Sequence, residues 1–320
     1  MPRVILVSNR LPVTLRQDPD GTQHVEPSSG GLVAGLQPLH EQSGSLWIGH
    51  PGTWPERDAG EELERQRLIP VAVPDEDYGA YYDGYSNTAV WPLFHYLLER
   101  CDFDPEQYAA YRRVNERFAE TVLGHARPDD LIWIHDYQLM LLPQLIRRHL
   151  PDARIGFFLH IPFPSSEVFR VLPEREEILR GLLGADLIGV HTYEYADHLA
   201  RSIRRVLGFE HHSGLIRVGA RDVHIEPHPM GIDVDGFRER AFSPEADQLL
   251  ATHREWVHGR QVILGVDRLD YTKGLPLKLE AFRLLLQRSP RWRDDAVFIQ
   301  LAVPSREGIE GYQEQRAEVE

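Results

Sequence analysis

Short apolar runs rich in Val, Ile and Phe recur along this chain, and longer stretches of helical periodicity separate them. Several runs, Val4-Ile5-Leu6-Val7 among them, are apolar at consecutive positions. A strand of that kind needs cover on both faces, as in a parallel sheet sandwiched by helices. The pattern predicts strands at 4–8, 45–48, 68–73, 131–135, 155–160, 187–191, 224–227, 262–266 and 297–302. Between them it predicts helices at 31–40, 87–99, 104–123, 138–149, 166–172, 175–181, 193–206, 244–258 and 276–287. Alternation on this scale specifies an α/β fold built on doubly wound sheets. There is no repeat of solenoid period and no low-complexity tract.

The run from Pro229 to Phe237 carries Gly231, Gly236 and two Asp residues between a strand and a helical stretch. It reads as a domain boundary, with a first domain over 1–231 and a second over 232–320. The second holds only roughly 80 residues, small for a doubly wound domain. Two parallel strands do not bury both faces of a sheet. The tail from Gly311 to Glu320 reads as a helix without a stop signal. The expectation is that this second domain is incomplete, the chain being truncated there.

With 42% hydrophobic and 26% charged residues the composition is that of an ordinary globular chain, long enough for two cores. The formal net charge of −14 argues against a nucleic-acid backbone or an anionic membrane as the main partner. The single cysteine, Cys101, precludes an intrachain disulfide framework and fits a reducing cytoplasm. The N-terminal apolar run is too short for a secretion signal. No apolar run approaches the roughly 18 residues of a membrane span.

Chemistry-bearing residues gather where strands stop. Arg268 ends one strand, and Lys273 and Gly274 precede a helix, which aims two cations and free backbone N–H groups at one place. That suits a phosphorylated ligand. His160 ends another strand, before a turn stiffened by Pro162 and Pro164. Asp136 follows Trp133-Ile134-His135, as a ligand for sugar hydroxyls or as a helix N-cap. His135 itself reads as a satisfied core histidine. Arg10 ends the first strand, where a dinucleotide-binding protein would carry Gly-x-Gly-x-x-Gly. Gly30 and Gly31 open a helix and would let a ligand approach the backbone. Trp47, Tyr81, Tyr82 and Trp91 offer faces for sugar stacking or for the core, with Tyr82 the best ligand contact among them. The histidines at 211, 212, 224 and 228 form no recognised metal motif. Nucleophile-elbow, Walker and kinase signatures are absent from the sequence.

Taken together, these segments resemble the trehalose-6-phosphate synthases, retaining glycosyltransferases of family 20 and the GT-B type. The resemblance runs through Val7-Ser8-Asn9-Arg10, Gly30-Gly31-Leu32, the Tyr81 to His95 stretch, Tyr111-x-x-Val114-Asn115, Ile132 to Tyr137, Arg154 to Pro164 and Arg268 to Gly274. It implies two Rossmann-like domains facing a cleft, the first binding the acceptor and the second the nucleotide-sugar. It implies transfer of glucose from UDP-glucose, or another nucleoside-diphosphate glucose, to glucose 6-phosphate, with no metal and no cofactor. On matching positions, Arg10, Tyr82 and Asp136 would hold glucose 6-phosphate, with Trp47 and Trp91 shaping its pocket. Gly30 and Gly31 would approach the donor, Arg268 and Lys273 would neutralise the departing diphosphate, and His160 would contact the donor sugar near the reacting carbon. Asp136, His160, Arg268 and Lys273 form the expected catalytic set. The family's later acceptor-phosphate Arg and its Asp-Gly-Met-Asn-Leu-Val-like loop do not occur before Glu320. A non-catalytic sugar-phosphate-binding regulator and a synthase using another acceptor, such as glycerol 3-phosphate, stand as alternatives. A nicotinamide oxidoreductase is disfavoured by the missing glycine fingerprint. The donor base and the oligomeric state, a homo-oligomer included, stay open.

Overall fold

In a computed structural model, the structure describes residues 2–18, 23–28, 30–54 and 57–303. The tail from 311 to 320, read above as a helix, lies outside the described residues. The strands are β1 (Val4–Arg10), β2 (Val13–Gln17), β3 (Gln23–Pro27), β4 (Leu46–His50), β5 (Leu68–Pro70), β6 (Leu131–His135), β7 (Arg154–Phe158), β8 (Leu187–Val190), β9 (His211–His212), β10 (Leu215–Val218), β11 (Arg221–Pro227), β12 (Gln261–Arg268) and β13 (Ala296–Val303). The chain divides into two compact units, Met1–Ile232 and Asp233–Glu320.

The first unit is built on one sheet in the order β5-β4-β1-β6-β7-β8-β11-β10-β9, parallel from β5 through β11. The chain leaves β1 toward β4 and later returns on the other side to β6. Strand order therefore reverses between β1 and β6, the point at which doubly wound sheets open a crevice beyond their strand ends. The interior of β1 is buried at five consecutive residues, from Ile5 to Asn9, as its two-sided apolarity requires. One side is sealed by Leu6, Leu11, Leu36, Trp47, Leu63 and Leu68.

The helix Pro105–His125 shows why the sequence folds locally as it does. Asp104 caps it by accepting the Glu106 amide at 2.8 Å, and Pro105 occupies its first position. Tyr108, Tyr111, Val114, Asn115, Phe118 and Val122 are buried on one stripe at helical spacing. Two of them reach the turn after β6: Tyr111 Oη donates to the Tyr137 carbonyl at 2.7 Å, and Asn115 Nδ2 donates to the Gln138 carbonyl at 3.0 Å.

Some expectations change. The antiparallel hairpin β2–β3 and the small strands β9 and β10 lie in stretches read as loops. The helix expected over 87–99 is instead a wide-turn π segment, Ala80–Val90, followed by Trp91–Phe94 and a 3₁₀ turn at Leu98–Arg100. Gly84 breaks the π segment with φ −73° and ψ −115°, and Tyr96 at φ 64° ends the run.

In the second unit β12 and β13 pair in parallel along eight residues, from Gln261 opposite Ala296 to Arg268 opposite Val303. The helix Leu275–Arg288 belongs to their crossover. Leu264 and Val266, which lie on the same face of β12, are each 62% exposed. Among the described residues, no helix is long and apolar enough to cross a membrane.

Candidate active site at the strand ends

Three residues from the sequence reading lie at or just beyond the ends of neighbouring strands β1, β6 and β7. Arg10 is the last residue of β1, Asp136 follows β6, and His160 lies two residues beyond β7. Asp136 has φ 77° and ψ 169°, a backbone state that non-glycine residues rarely adopt. Its carboxylate does not cap the short turn that follows. Instead, Oδ1 accepts the backbone N–H of His160 at 3.2 Å, while its own N–H donates to the Phe158 carbonyl at 2.8 Å. The ends of β6 and β7 are thus tied together by Asp136.

Arg10 stands on a layer of aromatic rings. Its guanidinium carbon lies 5.0 Å from the Tyr82 ring centre and 6.0 Å from that of Tyr78, within cation–π range. Arg10 Nε donates to Tyr78 Oη at 3.1 Å. Asn9 Nδ2 donates to the same oxygen at 3.3 Å, and Tyr81 Oη donates to Asn9 Oδ1 at 3.0 Å. Tyr78 in turn stacks on His50 at 4.0 Å and on Tyr82 at 5.6 Å. Burial, and after it the neighbouring Arg10 charge, pushes His50 down to about 4, so it is neutral near pH 7. Tyr78, His50 and Asn9 were not singled out from the sequence. Tyr78 lies just upstream of the Tyr81-Tyr82 pair, and His50 sits at a strand end, where the other site residues were found.

Trp47 requires correction. It is fully enclosed, and its Nε1 donates to Ser8 Oγ at 2.7 Å. Ser8 Oγ then donates to the Arg10 carbonyl at 2.7 Å. Strand alternation turns Trp47 into the core, so it supports Arg10 from within instead of shaping a ligand pocket. His50 is the aromatic residue of β4 that stands beside Arg10. Trp91 is 4% exposed and packs against His95 at 4.1 Å and Tyr137 at 5.6 Å, so it can shape a pocket only from behind.

His160 and His135 border a cavity of about 410 Å³ together with Trp133, Phe158, His228 and Met230. Burial, and then the nearby His191, pushes His160 down to about 3. Gly30 precedes the helix Gly31–Ser43 with φ 154°, a conformation that suits glycine, and a methyl group added at Gly30 or Gly31 would meet open space.

Arg268 and Lys273 belong to the second unit. Arg268 Nη2 donates to Asp270 Oδ2 at 3.3 Å. Asp270 is fully buried and also accepts from the Thr272 amide at 3.0 Å and its hydroxyl at 2.8 Å. This fixes the turn Tyr271–Lys273, after which Gly274 at φ 61° admits the chain to the helix Leu275–Arg288. The strand, the two cations and the helix start are adjacent in the chain; the Asp270 carboxylate holds Arg268 and Thr272, and its carbonyl accepts the Lys273 amide at 2.9 Å.

The glycosyltransferase family 20 model matches residues 2–320. A UDP-forming alpha,alpha-trehalose-phosphate synthase A of Dictyostelium discoideum is 44% identical over 99% of this chain and 44% of its own length. The corresponding UDP-forming synthase of Yarrowia lipolytica is 42% identical over 100% of this chain and 70% of its own. Among solved structures, a Burkholderia xenovorans synthase in complex with glucose-6-phosphate superposes with a TM-score of 0.84 at 32% identity, over 99% of this chain and 69% of that one. An E. coli structure bound with UDP-2-fluoro glucose gives 0.83 at 29%, over 99% and 68%. The N-terminal domain of a Candida albicans trehalose-6-phosphate phosphatase gives 0.85 at 31%, over 100% and 68%. The fold class is accordingly GT-B. Sequence and fold agree that this chain belongs to glycosyltransferase family 20.

Proposed function

We propose that the chain serves the retaining transfer of glucose from UDP-glucose, or another nucleoside-diphosphate glucose, to glucose 6-phosphate, giving trehalose 6-phosphate. The observation that carries this reading is that Arg10, Asp136 and His160 stand at or just beyond the ends of three neighbouring strands of the first sheet, with Asp136 bonded to the His160 amide. A fork-shaped cation backed by Tyr78 and Tyr82 suits a sugar phosphate, and a carboxylate at the end of the neighbouring strand suits sugar hydroxyls. The names of the relatives and the ligands of the two synthase structures agree with it.

In this reading the first unit serves the acceptor and the second serves the donor nucleotide. Arg268 and Lys273 balance the charge that develops on the leaving diphosphate, a preorganised electrostatic role. Gly30 and Gly31 allow close approach of the donor, and His160 contacts the donor sugar. The departing phosphate takes the acceptor proton on the face it leaves, so no carboxylate nucleophile of the glycosidase type is needed. The reaction is assigned to the cytoplasm and needs no metal, because the cations are side chains.

A second reading is a sugar-phosphate-binding homologue without transferase activity. It is favoured by the likeness to the N-terminal domain of a phosphatase. Incubation with UDP-glucose and glucose 6-phosphate, followed by product analysis, separates the two. Formation of trehalose 6-phosphate is expected. Calorimetric binding of glucose 6-phosphate without product would favour the second reading, and product with glycerol 3-phosphate alone would reassign the acceptor.

A further inference from the structure

His135 was expected to be a satisfied core histidine, and it is satisfied at only one nitrogen. It ends β6 and is fully buried. Its Nδ1 lies 3.1 Å from His160 Nε2, while its Nε2 is buried without a hydrogen-bond partner. The His160 ring is held in place around this contact. The His160 amide donates to Asp136 Oδ1, the Leu159 amide donates to the Gly189 carbonyl at 3.0 Å, and Phe158 packs on the His160 ring at 4.6 Å. What remains to be fixed is the position of one proton.

Two neutral imidazoles in contact share a single N–H between them. Burial holds both rings neutral: it pushes His135 well below the usual histidine range and His160 to about 3. In one arrangement His160 Nε2–H donates to His135 Nδ1. His135 then carries its own proton on Nε2, a buried N–H with no acceptor, which costs about 1–3 kcal/mol and is rare in folded proteins. In the other, His135 Nδ1–H donates to His160 Nε2, and the partnerless atom is a bare lone pair. We propose that His135 is a positioning residue that holds His160 as the neutral Nδ1–H tautomer, so that His160 turns an N–H, not a lone pair, toward a bound sugar.

That the ligand is a sugar rests on the function proposed above, whereas the tautomer does not. The consequence is chemical. His160 would read an oxygen lone pair as an uncharged donor and would take no proton from the ligand. The site would carry one fixed dipole where a freely exchanging imidazole would have to be ordered on binding.

The test is long-range proton–nitrogen correlation spectroscopy on protein carrying ¹⁵N-labelled histidine at pH 7, with His160 assigned through His160→Gln. The expected spectrum has the His160 proton on Nδ1, in about tenfold excess or more. A His160 proton on Nε2 would overturn the proposal. In His135→Phe the donor is gone and His160 should become a mixture of tautomers. In His135→Asn an amide N–H stands near the lost Nδ1–H and the Nδ1–H form should return. Retention of a single Nδ1–H tautomer in His135→Phe would also overturn it. If that variant does not fold, the wild-type spectrum decides alone. Absence of glucose transfer alongside the expected spectra would count against the activity reading and leave the tautomer assignment standing.

Discussion

Gly49 offers a direct way to disturb Arg10 without touching it. A Cβ built on Gly49 would lie 2.8 Å from the Arg10 carbonyl carbon and 2.8 Å from the Leu11 nitrogen, with the Arg10 oxygen at 3.0 Å. All three are backbone atoms, and the first two are about 0.6 Å short of ordinary contact at 3.4 Å. No rotamer change relieves such an overlap, so Gly49→Ala must push the end of β1 away from β4. That movement strains the Leu11 amide bond to the His50 carbonyl, now 3.0 Å. Overpacking of this kind costs about 1–3 kcal/mol. At a urea dependence of about 2–3 kcal/mol per molar, the midpoint should fall by roughly 0.5–1 M. Arg10 would then no longer sit over Tyr82, and calorimetry should register weaker glucose 6-phosphate binding as well. Arg10→Ala is the control: it should lose binding with a smaller fall in midpoint, since it removes one bond to Tyr78 and the stacking on Tyr82 but forces no backbone movement. A Gly49→Ala protein with unchanged midpoint and unchanged affinity would refute both the close approach and its link to the site.

Tyr78→Phe removes the oxygen that accepts from Arg10 and Asn9 but keeps the ring, so KM for glucose 6-phosphate should rise about fivefold to tenfold with kcat little altered; an equal fall in kcat would mean that Tyr78 acts in the chemical step. Arg268→Ala and Lys273→Ala should each cost about 3 kcal/mol or more of transition-state stabilisation, read as kcat/KM, and full turnover in both would remove them from the donor site. Dialysis against a chelator should leave turnover largely intact, whereas loss restored by one divalent ion would contradict the role given to the two cations. Stability should fall on acidification: His50 and His160 titrate near 4 and 3 in the fold but near 6.5 when unfolded, so the unfolded chain binds more protons below pH 6.5. Urea midpoints should decline between pH 7 and pH 5, with a smaller decline in His50→Asn, and an equal slope in that variant would exclude His50 as a contributor.

The sheet of the first unit was legible because parallel strands covered on both faces need consecutive apolar residues, and Val4–Val7 and Leu131–Ile134 supply them. The hairpin β2–β3 was missed although Val13, Leu15 and Val25 carry the alternation of a two-sided ribbon; its polar partners resemble loop residues. The segment Ala80–Val90 was misread for a different reason. A π turn has no side-chain period of its own, and Gln107 packs so close to Gly84 that a side chain there would clash, a contact that only tertiary structure creates. The places of Arg10, Asp136 and His160 at or just beyond strand ends were legible because a strand end is readable in one dimension. Trp47 was misplaced because a tryptophan at a strand end and one turned into the core look alike until the pleat is known. His135 is the core residue that the sequence suggests, but no sequence pattern records which of its nitrogens finds a partner.

The tie between Asp136 and His160 divides the crevice into a half that resists redesign and a half that invites it. Along β6 and β7 the Asp136 carboxylate braces its neighbour's backbone, so altering the chemistry there loosens the strand ends it joins. The layer of Tyr78, Tyr82 and His50 beneath Arg10 is made of side chains stacked on side chains, which can be exchanged without unpicking a strand. A search for variants that accept a different sugar phosphate should therefore randomise those three aromatic positions and leave the acid in place.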